Sequence, residues 1–313
     1  MSRGGRSIRG RGAAKNPAGR FEKIAFVPDL EEADPEGPLP RTQVLKDAAR
    51  SIIATNESPD LGFSASLNPY RGCEHGCVYC YARPTHEYLG FSAGLDFETK
   101  ILVKEDAPDL LRAELSAPRW KPQVLAMSGV TDPYQPLERR LGLTRRCLEV
   151  LAEFRNPVAV VTKNHLVTRD LDLLSDLASR GAAAVIVSLT TLDPALAATM
   201  EPRTSVPARR LAALRALSQA GVPAGVNVAP VIPGLTDHEI PAILAAAREA
   251  GARFAGHALL RLPYGVKDLF RDWLERSFPD RAEKVLHRVQ EVRGGKLNDS
   301  RFGSRMTGEG VYA

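Results

Sequence analysis

Short apolar segments alternate with amphipathic segments along most of the chain between residues 63 and 260. Each apolar segment is four to eight residues long, which is typical of a buried strand. Six strands are predicted in this way, at residues 63–67, 124–127, 158–162, 182–189, 224–231 and 254–260. The intervening segments repeat apolar positions at helical spacing and predict helices at residues 137–154, 170–178, 207–220 and 238–250.

This alternation predicts an α/β fold. Strands that are apolar throughout and are separated by helices favour a parallel sheet covered by helices. Six strands in about 200 residues agree with a βα unit of roughly 30 residues. Since a TIM barrel needs eight such units to close, we predict a partial (β/α)6 TIM-like barrel, with its chemistry at the carboxyl ends of the strands.

The segments on either side of the predicted barrel have a different pattern. Residues 1–41 join an Arg/Gly-rich start to a proline-rich acidic stretch, and they predict a disordered N-terminal tail and linker. Residues 42–262 are assigned to the barrel core, and a short helix is predicted at 42–51. Residues 263–313 predict a C-terminal helical extension and a glycine-rich lid or ordered tail, at residues 266–278, 280–292 and 303–310.

The composition is ordinary for a globular protein, with 44% hydrophobic and 25% charged residues in 313. The chain has no run of 18 or more apolar residues, so no membrane-spanning helix is expected. Residues 1–20 carry charge without an apolar stretch, and we expect no secretory signal there. These features predict a cytoplasmic protein with no membrane partner.

The net charge of +5 is concentrated in two segments. Residues 1–23 carry seven basic residues and one acid, so the rest of the chain has a net charge of −1. The Arg/Gly pairs of that segment could follow a phosphate backbone, or they could form a solvated tail. Residues 281–305 have a net charge of +4 and allow the same two interpretations, a polyanion-binding face or a solvated helix face. Global charge alone does not indicate nucleic-acid binding.

Three of the four cysteines lie in one short loop with the spacing C-x3-C-x2-C, at Cys73, Cys77 and Cys80. Three thiolates can hold three irons of a cubane cluster and leave the fourth iron open to a ligand. The alternative is a zinc site with a fourth ligand from His75, His86 or Cys147, although the chain has no second C-x2-C or H-x3-H pair. An odd number of clustered cysteines does not favour a disulfide.

The cysteine spacing, with an aromatic residue before the last cysteine, resembles the signature of the radical S-adenosylmethionine (radical SAM) superfamily. The resemblance implies that Cys73, Cys77 and Cys80 bind a 4Fe-4S cluster and that S-adenosylmethionine chelates the open iron. An electron donor such as flavodoxin or ferredoxin would then drive reductive cleavage to methionine and a 5′-deoxyadenosyl radical. A partial (β/α)6 barrel is the fold of this superfamily.

From about Thr42 onward the chain also resembles the branch of spore photoproduct lyase and the DNA-repair-photolyase-like proteins, on the stretches 68–73 and 80–83. This resemblance implies that Ser128 and Thr131 meet the amino group of S-adenosylmethionine and that Lys163 pairs with its carboxylate. It implies further cofactor contacts from Tyr79, Ser188 and Asn227, and a hydrogen-atom relay through Tyr81. The stretch Glu201-Pro202-Arg203 follows with no assigned role.

One departure from the lyase pattern concerns the cysteine that returns a hydrogen atom to the product radical. Ser128 or Gly129 stands at that place, and neither offers a weak X–H bond. Cys147 falls on an apolar helix face and is expected in the core. We therefore expect a radical SAM enzyme with an unassigned substrate, with a nucleic-acid (tRNA or DNA) substrate as one alternative and a non-catalytic iron–sulfur or zinc protein as another.

Overall fold

A computed structural model describes residues 8–21 and 40–310 of the chain. Its ten strands are β1 (Gln43–Lys46), β2 (Ile53–Thr55), β3 (Ala65–Leu67), β4 (Tyr70–Arg71), β5 (Lys100–Val103), β6 (Leu125–Met127), β7 (Val158–Thr162), β8 (Ala183–Ser188), β9 (Ala224–Val231) and β10 (Phe254–Leu259). Its α-helices are α1 (Leu95–Thr99), α2 (Ala107–Leu115), α3 (Glu138–Leu141), α4 (Leu143–Phe154), α5 (Leu171–Ser179), α6 (Pro194–Met200), α7 (Pro207–Gln219), α8 (Ile240–Glu249), α9 (Val266–Ser277), α10 (Pro279–Glu291) and α11 (Ser304–Thr307).

The main sheet has seven strands in the order β10-β9-β8-β7-β6-β3-β2. Six of them, from β3 to β10, are parallel and follow one another in chain order, while β2 pairs antiparallel with β3 at the edge. This arrangement confirms the predicted α/β fold and partial (β/α)6 barrel. It also brings the loops after the parallel strands to one edge of the sheet, where the cysteine loop follows β3 and the short strand β4.

The main core lies between the sheet and the helices that cover it. Alternate residues of β7, such as Val158 and Val160, are buried together with Cys147 and Leu151 of α4. Burial of one leucine side chain of this kind contributes about 1.5–3 kcal/mol. The interior position of Cys147 agrees with its prediction as a core residue, because the α4 face that carries it is apolar.

Two predicted helices differ from the structure. Residues 42–51 do not form a helix, because Gln43–Lys46 pairs in parallel with Lys100–Val103 in a separate three-stranded sheet that also contains β4. The helix predicted at 137–154 is two helices, α3 and α4, since Gly142 between them has a φ of +65°, which glycine adopts without strain. In the first case non-local pairing overrides the local pattern, and in the second one glycine divides it.

Residues 8–21 depart from the predicted disorder, whereas residues 1–7 and 22–39 of the same tail lie outside the described residues. The segment from Ile8 to Phe21, called the strap below, lies against the cysteine loop and the adjacent helices. Ala13 is 2% exposed, Lys15 pairs with Asp272 at 3.2 Å, and Arg20 pairs with Glu87 at 2.5 Å. Specific buried contacts therefore order a segment whose composition is that of a flexible tail.

The C-terminal extension is helical, as predicted, and it packs on the cysteine loop. Residues of α9 and α10, including Phe270 and Trp273, share one apolar cluster with Cys77, Val78 and Tyr79. The glycine-rich end is an ordered tail, whose Gly303 N–H and Arg305 guanidinium both bind the carboxylate of Asp60. Among the described residues no helix is long and apolar enough to cross a membrane.

Candidate active site

The cysteine loop begins at Gly72, where the backbone passes close to its neighbours. Gly72 has a φ of +83°, and a Cβ there would lie 2.8 Å from the His86 ring and 3.0 Å from the Phe97 carbonyl. Cys73 and Cys77 are each 7% exposed, Cys80 is half-buried, and all three are free thiols. A residue other than glycine at position 72 would move the first cysteine, so the loop needs this residue for its shape.

Hydrogen bonds from several elements fix the loop. The Cys73 N–H donates to the Phe97 carbonyl at 2.9 Å, and the Thr131 hydroxyl donates to the Gly72 carbonyl at 2.6 Å. At the far end the Val78 N–H donates to the carbonyl of Met200 at 3.1 Å. Thr131 is 8% exposed and its hydroxyl is engaged by the loop backbone. In this structure the hydroxyl therefore holds the loop, and the contact of Thr131 with the cofactor stays a prediction.

A fully buried ion pair lies beneath the loop. Arg83 donates to the Cys77 carbonyl at 3.0 Å and to the carboxylate of Glu98 at 2.5 Å, and both side chains are 0% exposed. The strap completes the pair, because the backbone N–H groups of Gly12 and Ala13 donate to the two Glu98 oxygens at 3.0 and 2.8 Å. The shape of the cysteine loop thus depends on a charge pair and on the strap together.

The three thiols fit a site for iron. Burial raises the pKa of Cys73, Cys77 and Cys80, so the free thiols hold their protons. Cations act in the opposite direction, since Lys163 lowers the pKa of both Cys77 and Cys80 and Arg83 lowers that of Cys80. Metal ligation requires thiolates, and buried thiolates require positive charge nearby. The donor set and its cationic surroundings together match a cluster site.

A buried network of charges lies at the carboxyl ends of β7 to β9. Lys163 donates to the Ala229 carbonyl at 2.9 Å, and its Nζ lies 3.4 Å from Glu201. Glu201 also accepts hydrogen bonds from the Tyr79 hydroxyl and from Arg210. Burial lowers the pKa of Lys163 to about 8, although the thiol of Cys77 acts in the opposite direction. The network therefore places the ammonium group of Lys163 beside the cysteine loop. Because it is buried there, Lys163 loses its proton more readily than an exposed lysine does.

Two members of this network were missed or left open by sequence reasoning. Glu201 stands in the stretch to which no role was assigned, and Arg210 gave no signal because an arginine on a helix is usually solvated. Both are nearly inaccessible, at 2% and 1% exposure. Arg210 also donates to the Ser188 carbonyl at 3.1 Å. A charged pair of this kind is recognisable only when the fold brings it together.

The other predicted residues lie around this network and differ in their exposure to solvent. Ser188 is 5% exposed and is the register partner of Asn227, which is half-buried. Ser128 is half-buried in the loop after β6. Tyr81 is 49% exposed and lies under the guanidinium of Arg261. The structure therefore brings Tyr79 and Lys163 together around Glu201, and Tyr81 lies at the accessible side of the loop.

Asp132 joins the loop after β6 to β7 and to the cysteine loop. Its carboxylate accepts from the Thr162 hydroxyl at 2.7 Å and from the Lys163 N–H at 2.8 Å, and it lies 3.4 Å from Nδ1 of His75. Burial opposes ionisation, but the His75 ring and these hydrogen bonds hold the pKa of Asp132 below its usual value. Asp132 thus fixes the backbone of the residue that carries the site's ammonium group.

The candidate fourth ligands of a zinc site have other partners. The ring nitrogens of His75 face Asp132 and Asn164, and Nε2 of His86 lies 2.9 Å from the Lys100 carbonyl. Cys147 is in the main core. The zinc interpretation receives no support from these contacts.

The chain belongs to the radical SAM superfamily. The superfamily model matches residues 67–247, which is more than half of the chain and includes the cysteine loop, β6 to β9 and the Lys163 network. Members of this superfamily are enzymes, and they use a 4Fe-4S cluster and S-adenosylmethionine, as the cysteine motif led us to expect.

The chain is similar to proteins from several organisms. It is 39% identical over 232 residues to an uncharacterized protein of Mycobacterium tuberculosis strain H37Rv, an alignment that covers 72% of this chain and 68% of the relative. It is 26% identical over 249 residues to an uncharacterized protein of Methanocaldococcus jannaschii, with 80% and 89% of the two chains covered. These similarities extend over most of the barrel.

Among solved structures, the chain resembles spore photoproduct lyase. For a variant of that enzyme the TM-score is 0.55 at 17% identity, and the comparison covers 75% of this chain and 66% of the lyase. For the lyase complexed with dinucleoside spore photoproduct the TM-score is 0.52 at 18% identity. About one third of the lyase lies outside the comparison, and the shared property is the fold.

Proposed function

We propose that this chain reductively cleaves S-adenosylmethionine at a 4Fe-4S cluster held by Cys73, Cys77 and Cys80. The observation that carries the proposal is the position of these three free thiols beside Lys163, at the carboxyl edge of a parallel sheet. When cluster and cofactor are bound, the chemistry supplied is one-electron cleavage of the sulfonium to methionine and a 5′-deoxyadenosyl radical, which abstracts a hydrogen atom. The substrate of that radical is unassigned.

The charged residues around the loop have two tasks in this proposal. Lys163, Arg83 and Arg210 offset the negative charge of buried thiolates, as their effects on the thiol pKa values indicate. Lys163 would also pair with the carboxylate of the cofactor. Glu201 keeps the ammonium group in place until then, since it forms ion pairs with Lys163 on one side and with Arg210 on the other.

The remaining residues would orient the cofactor and the substrate. Ser128 follows β6, Ser188 is the last residue of β8, and Asn227 lies within β9 as the register partner of Ser188. Their polar groups are suited to an ammonium group or to the adenosine. Tyr79 would pack against the adenine, with its hydroxyl anchored on Glu201. Tyr81, which is exposed and adjacent to Cys80, would relay a hydrogen atom or contact the substrate. Flavodoxin or ferredoxin is the expected class of electron donor.

The basic segments alone do not identify the substrate, because several of their charges pair within the chain. Arg11 donates to the Glu98 carbonyl at 2.8 Å, Lys15 and Arg20 form ion pairs, and Arg301 pairs with Asp299 at 2.9 Å. These contacts weaken the argument for a nucleic-acid substrate from the tail. With Ser128 and Gly129 at the place of the lyase's hydrogen-donating cysteine, repair of the spore photoproduct is not our proposal.

The proposal is tested by anaerobic reconstitution. The protein is loaded with iron and sulfide, mixed with S-adenosylmethionine and dithionite, and assayed for 5′-deoxyadenosine by mass spectrometry. We expect 5′-deoxyadenosine from the wild type and none from Cys77→Ala, because loss of one iron ligand disrupts the cluster site. Cys147→Ala, which changes a cysteine of the core, is the matched control and should retain the product.

Metal analysis separates the alternatives. Iron and sulfide with product formation would support the proposal. An intact cluster that yields no 5′-deoxyadenosine would refute it and favour a non-catalytic iron–sulfur protein. One zinc per chain, bound to the same cysteines and without iron–sulfur absorbance, would overturn the assignment of Cys73, Cys77 and Cys80.

A further inference from the structure

An arginine at the rim of the barrel lies beside the cysteine loop and has no described acidic partner. Arg261 follows β10 within two residues, which places it at the carboxyl end of the sixth parallel strand. Its guanidinium carbon lies 5.3 Å from the centroid of the Tyr81 ring, and Tyr81 is the neighbour of Cys80. The side chain therefore lies close to the position at which we propose that radical chemistry occurs.

The hydrogen-bonding capacity of this guanidinium is largely unused. Its Nη1 donates to the sulfur of Met306 at 3.7 Å, which is a weak acceptor, and its buried Nε has no partner among the described residues. Within residues 8–21 and 40–310 no carboxylate forms an ion pair with Arg261. Half-buried guanidinium groups usually have oxygen acceptors, because loss of hydration is costly without them.

The neighbouring charges increase the positive potential at this place. Arg305 binds the carboxylate of Asp60, so that acid is already engaged. Arg293 is 2% exposed and donates to the carbonyls of Leu260 and Ser304. Arg261 thus lies near two other cations, Arg293 and Arg305, and near one carboxylate, Asp60, that already has a partner. An incoming anion would be attracted there.

We propose that Arg261 binds an oxyanion of the substrate, a phosphate or a carboxylate group, and thereby holds the substrate against the Tyr81 side of the cysteine loop. The guanidinium fork matches either anion with two parallel hydrogen bonds. Contact with the Tyr81 ring orients the fork without using its donors. This inference rests on the proposed function, since it assigns a substrate group to the same site.

Protection from arginine modification tests the site directly. Cluster-loaded protein is treated anaerobically with phenylglyoxal, with inorganic phosphate, with acetate, or with chloride at the same ionic strength, and modified peptides are quantified by mass spectrometry. We expect near-saturating oxyanion to slow modification of Arg261 by about tenfold, which corresponds to roughly 90% occupancy. Arg253, which is exposed and lies just before the first residue of β10, serves as the internal control and should react equally in all solutions.

Thermal unfolding provides a second measurement. Phosphate or acetate that binds the folded protein raises its midpoint of unfolding as concentration increases. We expect this shift in the wild type and in Arg253→Gln, and we expect its loss in Arg261→Gln. A shift with phosphate alone would identify a phosphate group, and a shift with acetate alone would identify a carboxylate group.

The two proposals can fail separately. If the wild type forms 5′-deoxyadenosine but phosphate and acetate neither protect Arg261 nor shift the wild-type midpoint, the oxyanion site is wrong and the radical chemistry stands. An equal shift in Arg261→Gln and wild type would also overturn the site. Protection at Arg261 without any 5′-deoxyadenosine would retain the anion site and refute the proposed function.

Discussion

Arg83 and Arg261 both lie beside the cysteine loop, and their surroundings differ sharply. Arg83 is fully buried and donates to three carbonyls and to the Glu98 carboxylate, so each side of its guanidinium has an acceptor. Arg261 is half-buried and has a thioether sulfur as its described acceptor. The first arrangement is complete within the chain and fixes the loop, whereas the second has donors to offer to a ligand.

This difference separates structural charges from functional ones. A buried ion pair contributes little net stability compared with apolar residues of the same volume, but removal of one partner is strongly unfavourable. Substitution of either Arg83 or Glu98 alone should therefore destabilise the protein strongly. Arg261 has no described acidic partner, so its substitution leaves no buried charge unpaired. Substitutions of buried groups beneath the cysteine loop should accordingly cost more stability than substitutions of exposed charges, and they are taken from the largest expected effect to the smallest.

Glu98→Gln should be the most damaging of these substitutions. It leaves the guanidinium of Arg83 buried without a counter-charge, and the amide cannot accept from Arg83 and from both strap N–H groups at once. We expect a loss of about 3–5 kcal/mol in the free energy of unfolding. Urea unfolding of the cluster-free protein measures this loss.

The matched control for that change is Glu153→Gln. Glu153 forms an ion pair with Arg112 in which both side chains are about half exposed, so water replaces the lost partner. The expected loss is much smaller than that of Glu98→Gln, because water screens an exposed pair. Equal losses of unfolding free energy in the two variants would show that burial does not make the Arg83–Glu98 pair more costly to break.

Gly12→Val tests whether the strap belongs to the site. A Cβ at Gly12 would lie 1.8 Å from the Gly76 carbonyl oxygen, so the side chain cannot fit while the strap remains in place. We expect a stability loss of about 2–3 kcal/mol, and faster bleaching of the reconstituted cluster in air because the strap covers the cysteine loop. Iron–sulfur absorbance followed over time measures the second effect. Ala18→Val, at an exposed strap position, should bleach at the wild-type rate.

The sequence was sufficient for the barrel and for the cysteine motif. Apolar runs of strand length, such as 158–162 and 224–231, specify their conformation locally, and the spacing of the three cysteines is itself a local signal. Glu98 and Arg83 carry no such signal, because an isolated charged residue in a sequence looks like a solvated one. Their importance depends on contacts between distant segments, as does the pairing of β1 with β5.

The same limit applies to the individual site residues. Lys163 was predicted from the resemblance to spore photoproduct lyase, and the structure gives it a buried partner in Glu201. Thr131 was predicted at the cofactor, and the structure adds a hydrogen bond from its hydroxyl to the Gly72 carbonyl that the sequence did not indicate. A motif indicates which residues gather at the carboxyl edge, but the acceptor that each side chain meets is decided by packing.

His86 predicts a dependence of stability on pH beneath the cysteine loop. Burial lowers its pKa to about 4, from 6.5, so the unfolded chain binds this proton more readily than the folded protein does between these values. Stability should therefore fall as the pH decreases, by about 2 kcal/mol between pH 7.5 and pH 5 from this group alone. Unfolding at the two pH values in wild type and His86→Gln measures the difference. A fall of equal size in His86→Gln would assign it to other groups.

Lys15→Ala should have the smallest effect, although Lys15 lies in the same strap as Gly12. Its ammonium group pairs with Asp272 at 3.2 Å, but the lysine side chain is 47% exposed and water can replace the contact. We expect a change of no more than about 0.5 kcal/mol in the free energy of unfolding and a wild-type rate of cluster bleaching. If Lys15→Ala bleached as fast as Gly12→Val, the strap would be held by its exposed ion pairs. A small effect would instead indicate that the strap is held by its buried hydrogen bonds to Glu98.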